Sequence, residues 1–315
     1  MKHDIIGDIH GCAQTLTALL DTLDYAPENG IYTHPGRQAI FLGDFVDRFP
    51  YQREVIDIVR PMIESGSAQS VMGNHEYNAI CYFTKQLESG KYLREHSEKN
   101  TKQHKAFLAA YGSSTNDYAD VIGWFKTLPL WLDLEKLKII HACWDKNIIQ
   151  QLKNEYNNNG LLTDKLLVKS ATKGQWEYLA IETLLKGKEI PLQDGIEFRD
   201  KDGHPRHDIR IKWWDQSATT YRNAFMGPRS TRTHIPNDEI DGDHLVEYSH
   251  KDSPVFLGHY WMEGTPTPLA KNIACVDYSV ANNEKREKLT AYRWDGEQKL
   301  SADKFVSVER IENEH

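Results

Sequence analysis

Five short apolar stretches constrain this chain more than any other feature. They run from Asp4 to Asp8, Ala39 to Asp44, Ser70 to Gly73, Lys138 to His141 and Pro254 to His259, and each ends in Gly, Asp or His. An apolar run that breaks off in such residues reads as a buried strand delivering polar side chains to a loop. Between two of these runs, Leu16, Leu19, Leu20 and Leu23 recur at spacings of three and four, which predicts a helix with one apolar face. Val55, Ile58, Val59 and Met62 repeat that pattern, and Pro61 predicts an end or a bend there. Strand alternating with helix is the grammar of an α/β sheet.

The tail from Ile273 to Val308 returns to strand character in Ile-Ala-Cys-Val-Asp-Tyr-Ser-Val and Leu-Thr-Ala-Tyr-Arg-Trp. One domain over residues 1–315 is therefore expected, with insertions in its middle. Residues 81–126 are polar and mostly helical in pattern, and residues 150–250 read as a long irregular insertion walling the site, with Asn157-Asn158-Asn159-Gly160 as a loop. Lys85, Lys91, Arg94, Lys99, Lys102 and Lys105 are interspersed with acids between Thr84 and Lys105, the pattern of a solvated helix face. Acidic residues outnumber basic ones 46 to 38, a formal charge of −8 that argues against general nucleic-acid binding. No apolar run approaches the roughly 20 residues of a membrane helix. Asp4 and Asp8 stand where an export signal would need apolar residues. Cys12, Cys81, Cys143 and Cys275 form no C-x-x-C pair, which points to reduced thiols and a cytoplasmic location. Cys143 reads as a small buried residue rather than a redox-sensitive point.

The strand ends carry the chemistry. They read Gly7-Asp8-Ile9-His10-Gly11, Gly43-Asp44-Phe45-Val46-Asp47-Arg48, Gly73-Asn74-His75-Glu76, His141-Ala142-Cys143-Trp144 and Gly258-His259-Tyr260. An extended backbone would point Asp8 and His10, two apart, the same way. A set of carboxylates, imidazoles and an amide oxygen suits divalent ions such as Mn, Fe, Zn or Co. The lack of cysteine at these positions argues against a structural zinc. A lone Asp-x-His or Asn-His is common in loops and means little. Five pieces, each after an apolar strand, indicate a shared metal site. Arg199, Arg206, Arg210, Arg222, Arg229 and Arg232 add a second signal: six of the chain's 14 arginines fall within 34 residues, with Trp213 and Trp214 among them. Arginine and tryptophan together suit a phosphate chain and a stacked ring, although such a Trp pair also packs well against a core.

These motifs, in this order, resemble the calcineurin-like metallophosphoesterases. Gly-Asp-Ile-His-Gly, Gly-Asp-Phe-Val-Asp-Arg and Gly-Asn-His-Glu are similar to the branch of phosphoprotein phosphatases and symmetrical diadenosine tetraphosphatases. The resemblance implies a metallo-dependent phosphatase type of fold, a two-layered β-sandwich core flanked by helices. It implies two divalent ions, drawn from Mn, Fe, Zn, Co, Ni or Mg with Mn the first choice. Asp8, His10 and Asp44 would hold one, and Asp44 would bridge to a second held by Asn74, His141 and His259. A bridging hydroxide would attack phosphorus in line. His75 would be the general acid, Asp47 its orienting partner, and Arg48 and Asn74 phosphate-binding groups. Related phosphatases use a second arginine after the fourth motif, and Arg210 and Arg222 are the candidates here. The fourth motif departs from the family in Ala142-Cys143-Trp144, where small glycines usually follow the histidine. The substrate implied is a dinucleoside polyphosphate or another phosphorylated small molecule; the alternatives are a phosphoprotein, or a metal-bound scaffold without catalysis. No membrane partner is implied.

Overall fold

The computed structural model describes residues 1–311 except 158, 194–195, 200–204, 228, 241–243 and 283–286; Asn158 and the side chains of Arg229 and Ser230 thus lie outside the described residues. Nine strands build two sheets: β1 (Lys2–Ile6), β2 (Arg37–Phe41), β3 (Ala68–Ser70), β4 (Trp131–Leu134), β5 (Leu137–Ile140), β6 (Val255–Leu257), β7 (Ile273–Cys275), β8 (Lys288–Trp294) and β9 (Phe305–Glu309). The first sheet has the order β9-β8-β1-β2-β3 and the second β7-β6-β5-β4. β1, β2 and β3 are parallel, with Ile5 beside Ile40 and Phe41 beside Ser70, while β8 runs antiparallel to β1. In the second sheet β6 is parallel to both β5 and β7.

Alternation along the strands explains the layering. Ile5, Ile40, Leu137, Ile139, Phe256 and Tyr292 form one fully buried cluster contributed by both sheets, the interior of a sandwich. The next residues along, Ile6 and Phe41, belong to a second cluster with Leu16, Leu19 and Leu20 of α1 (Ala13–Thr22) and with Val55, Val59 and Met62 of α2 (Gln52–Glu64). The predicted apolar faces of both helices are therefore the ones buried. Pro61 lies inside α2, which runs on to Glu64. A proline inside a helix costs about 3 kcal/mol or more, and burial of Val59 and Met62 on either side of it holds the last turns in place.

The inserted segments differ in part from expectation. α3 (Asn74–Phe83) stops before the basic stretch. Thr84 turns extended, and residues 85–92 form a small hairpin-like loop closed by Gln86 N–H to the Lys91 carbonyl. Helix resumes only in α4 (Glu98–Gln103), α5 (Lys105–Tyr111) and α6 (Thr115–Phe125). The loop reverses at Ser89-Gly90, where Gly90 adopts a φ of 66°. The lysines of the stretch are exposed, whereas Arg94 is half-buried and donates to Asn78 and Gln103. Beyond residue 145, α7 (Lys146–Tyr156), α8 (Asp164–Ser170) and α9 (Trp176–Lys186) give the second insertion a helical first part. Among the described residues no helix is long and apolar enough to cross a membrane.

Candidate metal centre

All five motifs lie just past the C-terminal ends of β1, β2, β3, β5 and β6, the edge where open α/β sheets gather ligands. Backbone hydrogen bonds stitch the loops together: Ile9 and His10 N–H donate to the Asp44 carbonyl, and Gly258 N–H to the His141 carbonyl. The loops are not extended. His10, Asp44, Asp47, Arg48, His259 and Trp261 have φ between 49° and 74°, six of the eleven non-glycine residues with positive φ among those described. Each such conformation costs about 1–3 kcal/mol and persists only where surroundings impose it. The backbone turns left-handed at His10, with a φ of 51°, instead of running extended through Asp8 and His10 as their spacing suggested.

Glu76 does much of the imposing. Its carboxylate accepts N–H bonds from Gly73 (3.0 Å), Asp44 (2.8 Å) and Phe45 (2.9 Å), tying the second and third motifs together. Close approach does the rest: a Cβ on Gly43 would lie 2.2 Å from the Gly73 nitrogen, and one on Gly258 would lie 2.1 Å from Asp8 Oδ1.

Asp44 is the hub. Its Oδ1 accepts from the His75 backbone N–H at 2.9 Å. Its Oδ2 faces His141 Nε2 at 3.4 Å, His10 Nε2 at 3.6 Å and His75 Nε2 at 4.0 Å. Ligand atoms of His10, Asp44 and His75 lie within 4.8 Å of one another, as do those of Asp44, His141 and His259, so Asp44 is common to both groups. Asn74 Oδ1 joins the second group, 3.1 Å from His141 Nε2 and 2.7 Å from His259 Nδ1. Asp8 contributes from the other side, where Oδ2 accepts His259 N–H at 3.0 Å.

The proton count at His141 tests whether a cation fits. Its Nδ1 lies 2.7 Å from the Leu42 carbonyl, which only accepts, so Nδ1 carries the hydrogen. A neutral ring then aims the Nε2 lone pair at two more acceptors, Asp44 Oδ2 and Asn74 Oδ1. Three acceptors facing one another need a proton or a cation between them. Burial opposes a charged His141, but the Asp44 carboxylate outweighs it and pushes His141 up to about 10. His10 repeats the arrangement, with Nδ1 donating to the Val46 carbonyl at 2.9 Å and Nε2 turned inward. Its burial, with His75 alongside, pushes it down to about 3, so His10 offers a lone pair. His259 is held well below the usual imidazole range by burial and then by the Arg210 charge. Asp8 Oδ1, His10 Nε2 and His259 Nε2 are buried with no hydrogen-bond partner among the described residues. Such orphaned N and O atoms suit borderline divalent ions.

His75 stands slightly apart. Its Nδ1 donates to Asp47 Oδ2 at 2.6 Å, leaving Nε2 on the side of Asp44. Burial works against its charge, yet the Asp44 and Asp47 carboxylates raise it above the ordinary imidazole value. Arg48 is exposed beside this pair, its guanidinium 5.2 Å from the centre of the Trp261 ring. The cationic insertion divides. Arg210 is half-buried, Nη2 3.4 Å from Glu189 and Nε buried without a partner among the described residues, and its charge reaches His259. Arg222 donates instead to the Ile235 carbonyl, and Arg232 to the Arg222 carbonyl, so both fasten backbone. Arg199 and Arg206 are exposed on two-residue strands, Arg199 beside the buried Phe198. Trp213 and Trp214 are core residues: Trp213 is fully buried and its Nε1 donates to the Ala142 carbonyl at 3.1 Å. Cys143 is buried, as are Cys12, Cys81 and Cys275.

Two neighbours of the centre escaped the motifs. Asp277 accepts N–H bonds from Trp261 and Ser279, and burial pushes it up to about 6. It follows β7 at a strand end, in a run, Ile-Ala-Cys-Val-Asp, of the same form as the five recognised ones. His104, at the junction of α4 and α5, donates from Nδ1 to Asp47 Oδ1 at 2.9 Å. Nothing in its local sequence announced it.

Fold and centre together define a two-layered α/β protein in which two clusters of candidate ligand atoms share Asp44. The chain belongs to the calcineurin-like phosphoesterases, whose family model matches residues 1–260. Membership implies divalent metal ions. An asymmetrical bis(5'-nucleosyl)-tetraphosphatase, PrpE, of Oceanobacillus iheyensis is 33% identical over 143 residues, 45% of this chain and 55% of that protein. Its namesake from Halalkalibacterium halodurans is 47% identical over 76 residues, 24% of this chain and 31% of that protein. The chain thus spans about half the length of the first relative and about a third of the second. A protein serine/threonine phosphatase from Saccharomyces cerevisiae superposes over 100% of this chain and 81% of its own, with a TM-score of 0.52 at 14% identity, a likeness of fold.

Proposed function

We propose that the protein is a metal-dependent hydrolase of phosphoesters or phosphoanhydrides, with a dinucleoside polyphosphate or similar phosphorylated small molecule as substrate. The carrying observation is the convergence of His141 Nε2, Asn74 Oδ1 and Asp44 Oδ2, three acceptors that need a proton or a cation between them. Asp8, His10 and Asp44 would hold one divalent ion, and Asp44, Asn74, His141 and His259 the other; manganese is the first choice. When bound, such ions polarise the phosphoryl oxygens and supply an activated water.

The chain's own groups do the rest. His75 holds a proton at Nε2 for the leaving oxygen, with Nδ1–H fixed on Asp47. Arg48, Asn74 and Arg210 bind phosphate oxygens, Arg48 in the fork geometry that guanidinium allows. We assign Arg222 to the insertion's backbone, not to substrate. The insertion at 150–250 belongs to the same single domain and walls the centre through Arg210 and through Trp213 on the Ala142 carbonyl. A reduced, cytoplasmic setting accords with four buried cysteines and no C-x-x-C pair.

The relatives' names favour the nucleotide reading over a phosphoprotein. Metal-stripped protein, each ion added back, is assayed on diadenosine tetraphosphate and on a phosphopeptide. Faster turnover of the nucleotide with manganese is expected, and the products tell symmetrical from asymmetrical cleavage. Preference for the phosphopeptide would transfer the assignment to the phosphoprotein phosphatases, and hydrolysis of neither would refute it.

A further inference from the structure

Asp47 is buried at 2% exposure, and each of its carboxylate oxygens accepts one imidazole N–H. Oδ2 takes His75 Nδ1 at 2.6 Å and Oδ1 takes His104 Nδ1 at 2.9 Å. The two histidines come from different places, His75 from the strand-end loop and His104 from the helical insertion, 57 positions from Asp47. We propose that His104 is a positioning residue for the proposed acid: it locks the Asp47 carboxylate so that Asp47 can hold the His75 ring in one orientation. The inference rests on the phosphohydrolase reading.

The lock is physical. A carboxylate bonded at one oxygen only can swing about χ2, and the His75 ring would swing with it. The second N–H removes that freedom, and it also satisfies an oxygen that would otherwise be buried unpaired, at a cost of about 1–3 kcal/mol or more. The backbone is fixed independently, since Asp47 N–H donates to Gln52 Oε1 at 2.7 Å. His104 itself has little room to move. It is 4% exposed, stacks on Phe107 at 4.8 Å between ring centres, and packs against Tyr82 at 5.2 Å. Tyr82 in turn stacks on His96 at 3.7 Å and bonds Thr101 through its hydroxyl. The 81–126 insertion thereby sets the acid's orientation without touching the cation site. Asp47 responds to both donors: burial opposes its charge, but the His104 and His75 hydrogen bonds hold it well below the usual carboxylate range.

His104→Phe keeps the ring packing and removes the N–H; His104→Asn keeps an N–H near the position of Nδ1 and removes the ring. With phenyl phosphate, a poor leaving group, the Phe variant is expected to lose roughly 10–100-fold in kcat, the usual effect of removing an outer-shell partner, with KM and manganese affinity unchanged. With nitrophenyl phosphate, which needs no acid, the loss is expected to be small, and the Asn variant should recover most activity on the phenyl ester. A second readout needs no turnover. The His75 Nδ1–H in its 2.6 Å bond should give a downfield proton NMR signal in the parent and the Asn variant, broadened or lost in the Phe variant. Should the Phe variant not fold, His104→Ala takes its place. Equal losses on both esters, or an Asn variant no better than Phe, would overturn the positioning role. So would a His75 signal that survives in the Phe variant. A parent inactive on every phosphate tested defeats the phosphohydrolase reading instead, and the NMR comparison still decides what His104 does to Asp47.

Discussion

One imidazole, His75, separates the two jobs of the centre, because its Nδ1 is committed to Asp47 while its Nε2 stays on the cation side. His75→Asn is therefore expected to keep divalent-metal binding and to lower turnover of an unactivated phosphoester on the order of 10²–10⁴-fold, the contribution of a positioned acid. Calorimetric metal titration beside steady-state kinetics checks both halves, and parental turnover in the variant would remove His75 as the acid. Residues of this kind were legible in the sequence where a motif carried them. Asp8, His10, Asp44, Asn74, His141 and His259 all stand at strand ends; His10, Asp44, His141 and His259 fall in the two clusters that share Asp44, Asn74 Oδ1 lies against the second, and Asp8 accepts the His259 N–H. His104 was not legible, since a histidine between two short helices gains meaning only from an aspartate far away in the chain. Asp277 carries the same strand-end signal as the others, at the close of Ile-Ala-Cys-Val-Asp after β7. Of the two arginines singled out, Arg210 acts on His259 through its charge, while Arg222 donates from Nε to the Ile235 carbonyl.

At the scale of elements, the parallel strands do the assembling and the turns after them determine whether the side chains meet. Gly43 shows the constraint. Its φ is +86°, and a Cβ there would strike the Gly73 backbone at 2.2 Å. Gly30 has a similar φ of +84° with nothing within 4 Å of its would-be Cβ, which makes it a control for backbone strain alone. Gly30→Ala is expected to cost about 1–2 kcal/mol, the left-handed penalty, and Gly43→Ala distinctly more, with weaker manganese binding as the second and third motifs part. Urea unfolding of both variants measures it, and equal costs would mean that the two loops are not held in close contact. Apolar periodicity found α1 and α2 correctly because their buried faces decide their existence. Charge patterning, which reads residues 84–97 as a solvated helix face, fails there, because solvated charges satisfy helix and loop equally and the turn at Ser89-Gly90 settles the matter.

Across the whole molecule, the sandwich buries several ionisable groups close together, and their protons should be traded for metal. His141 is raised to about 10, above its unfolded value near 6.5. The stability that it contributes to metal-free protein is complete below about pH 6.5 and drains as pH rises towards 10. Glu76 is raised to about 7 by burial and by Asp44, and Asp277 to about 6 by burial. Between the unfolded carboxyl range near 4 and these values the folded chain binds more protons than the unfolded one, so here too stability falls as pH rises. Asp44 and Asp47 are depressed instead, and what they contribute is lost only below about pH 4, outside this window. Metal-free protein should accordingly melt at a lower temperature at about pH 8.5 than at about pH 6.5. Ligation through His141 Nε2 requires that nitrogen to give up its proton, so manganese should raise the melting temperature more at the higher pH. Scanning calorimetry at both pH values, with and without manganese, measures the two increments, and titrations in buffers of different ionisation enthalpy count the protons released. An increment independent of pH, with no proton release, would mean that the cation does not bind where His141, Asn74 and Asp44 converge.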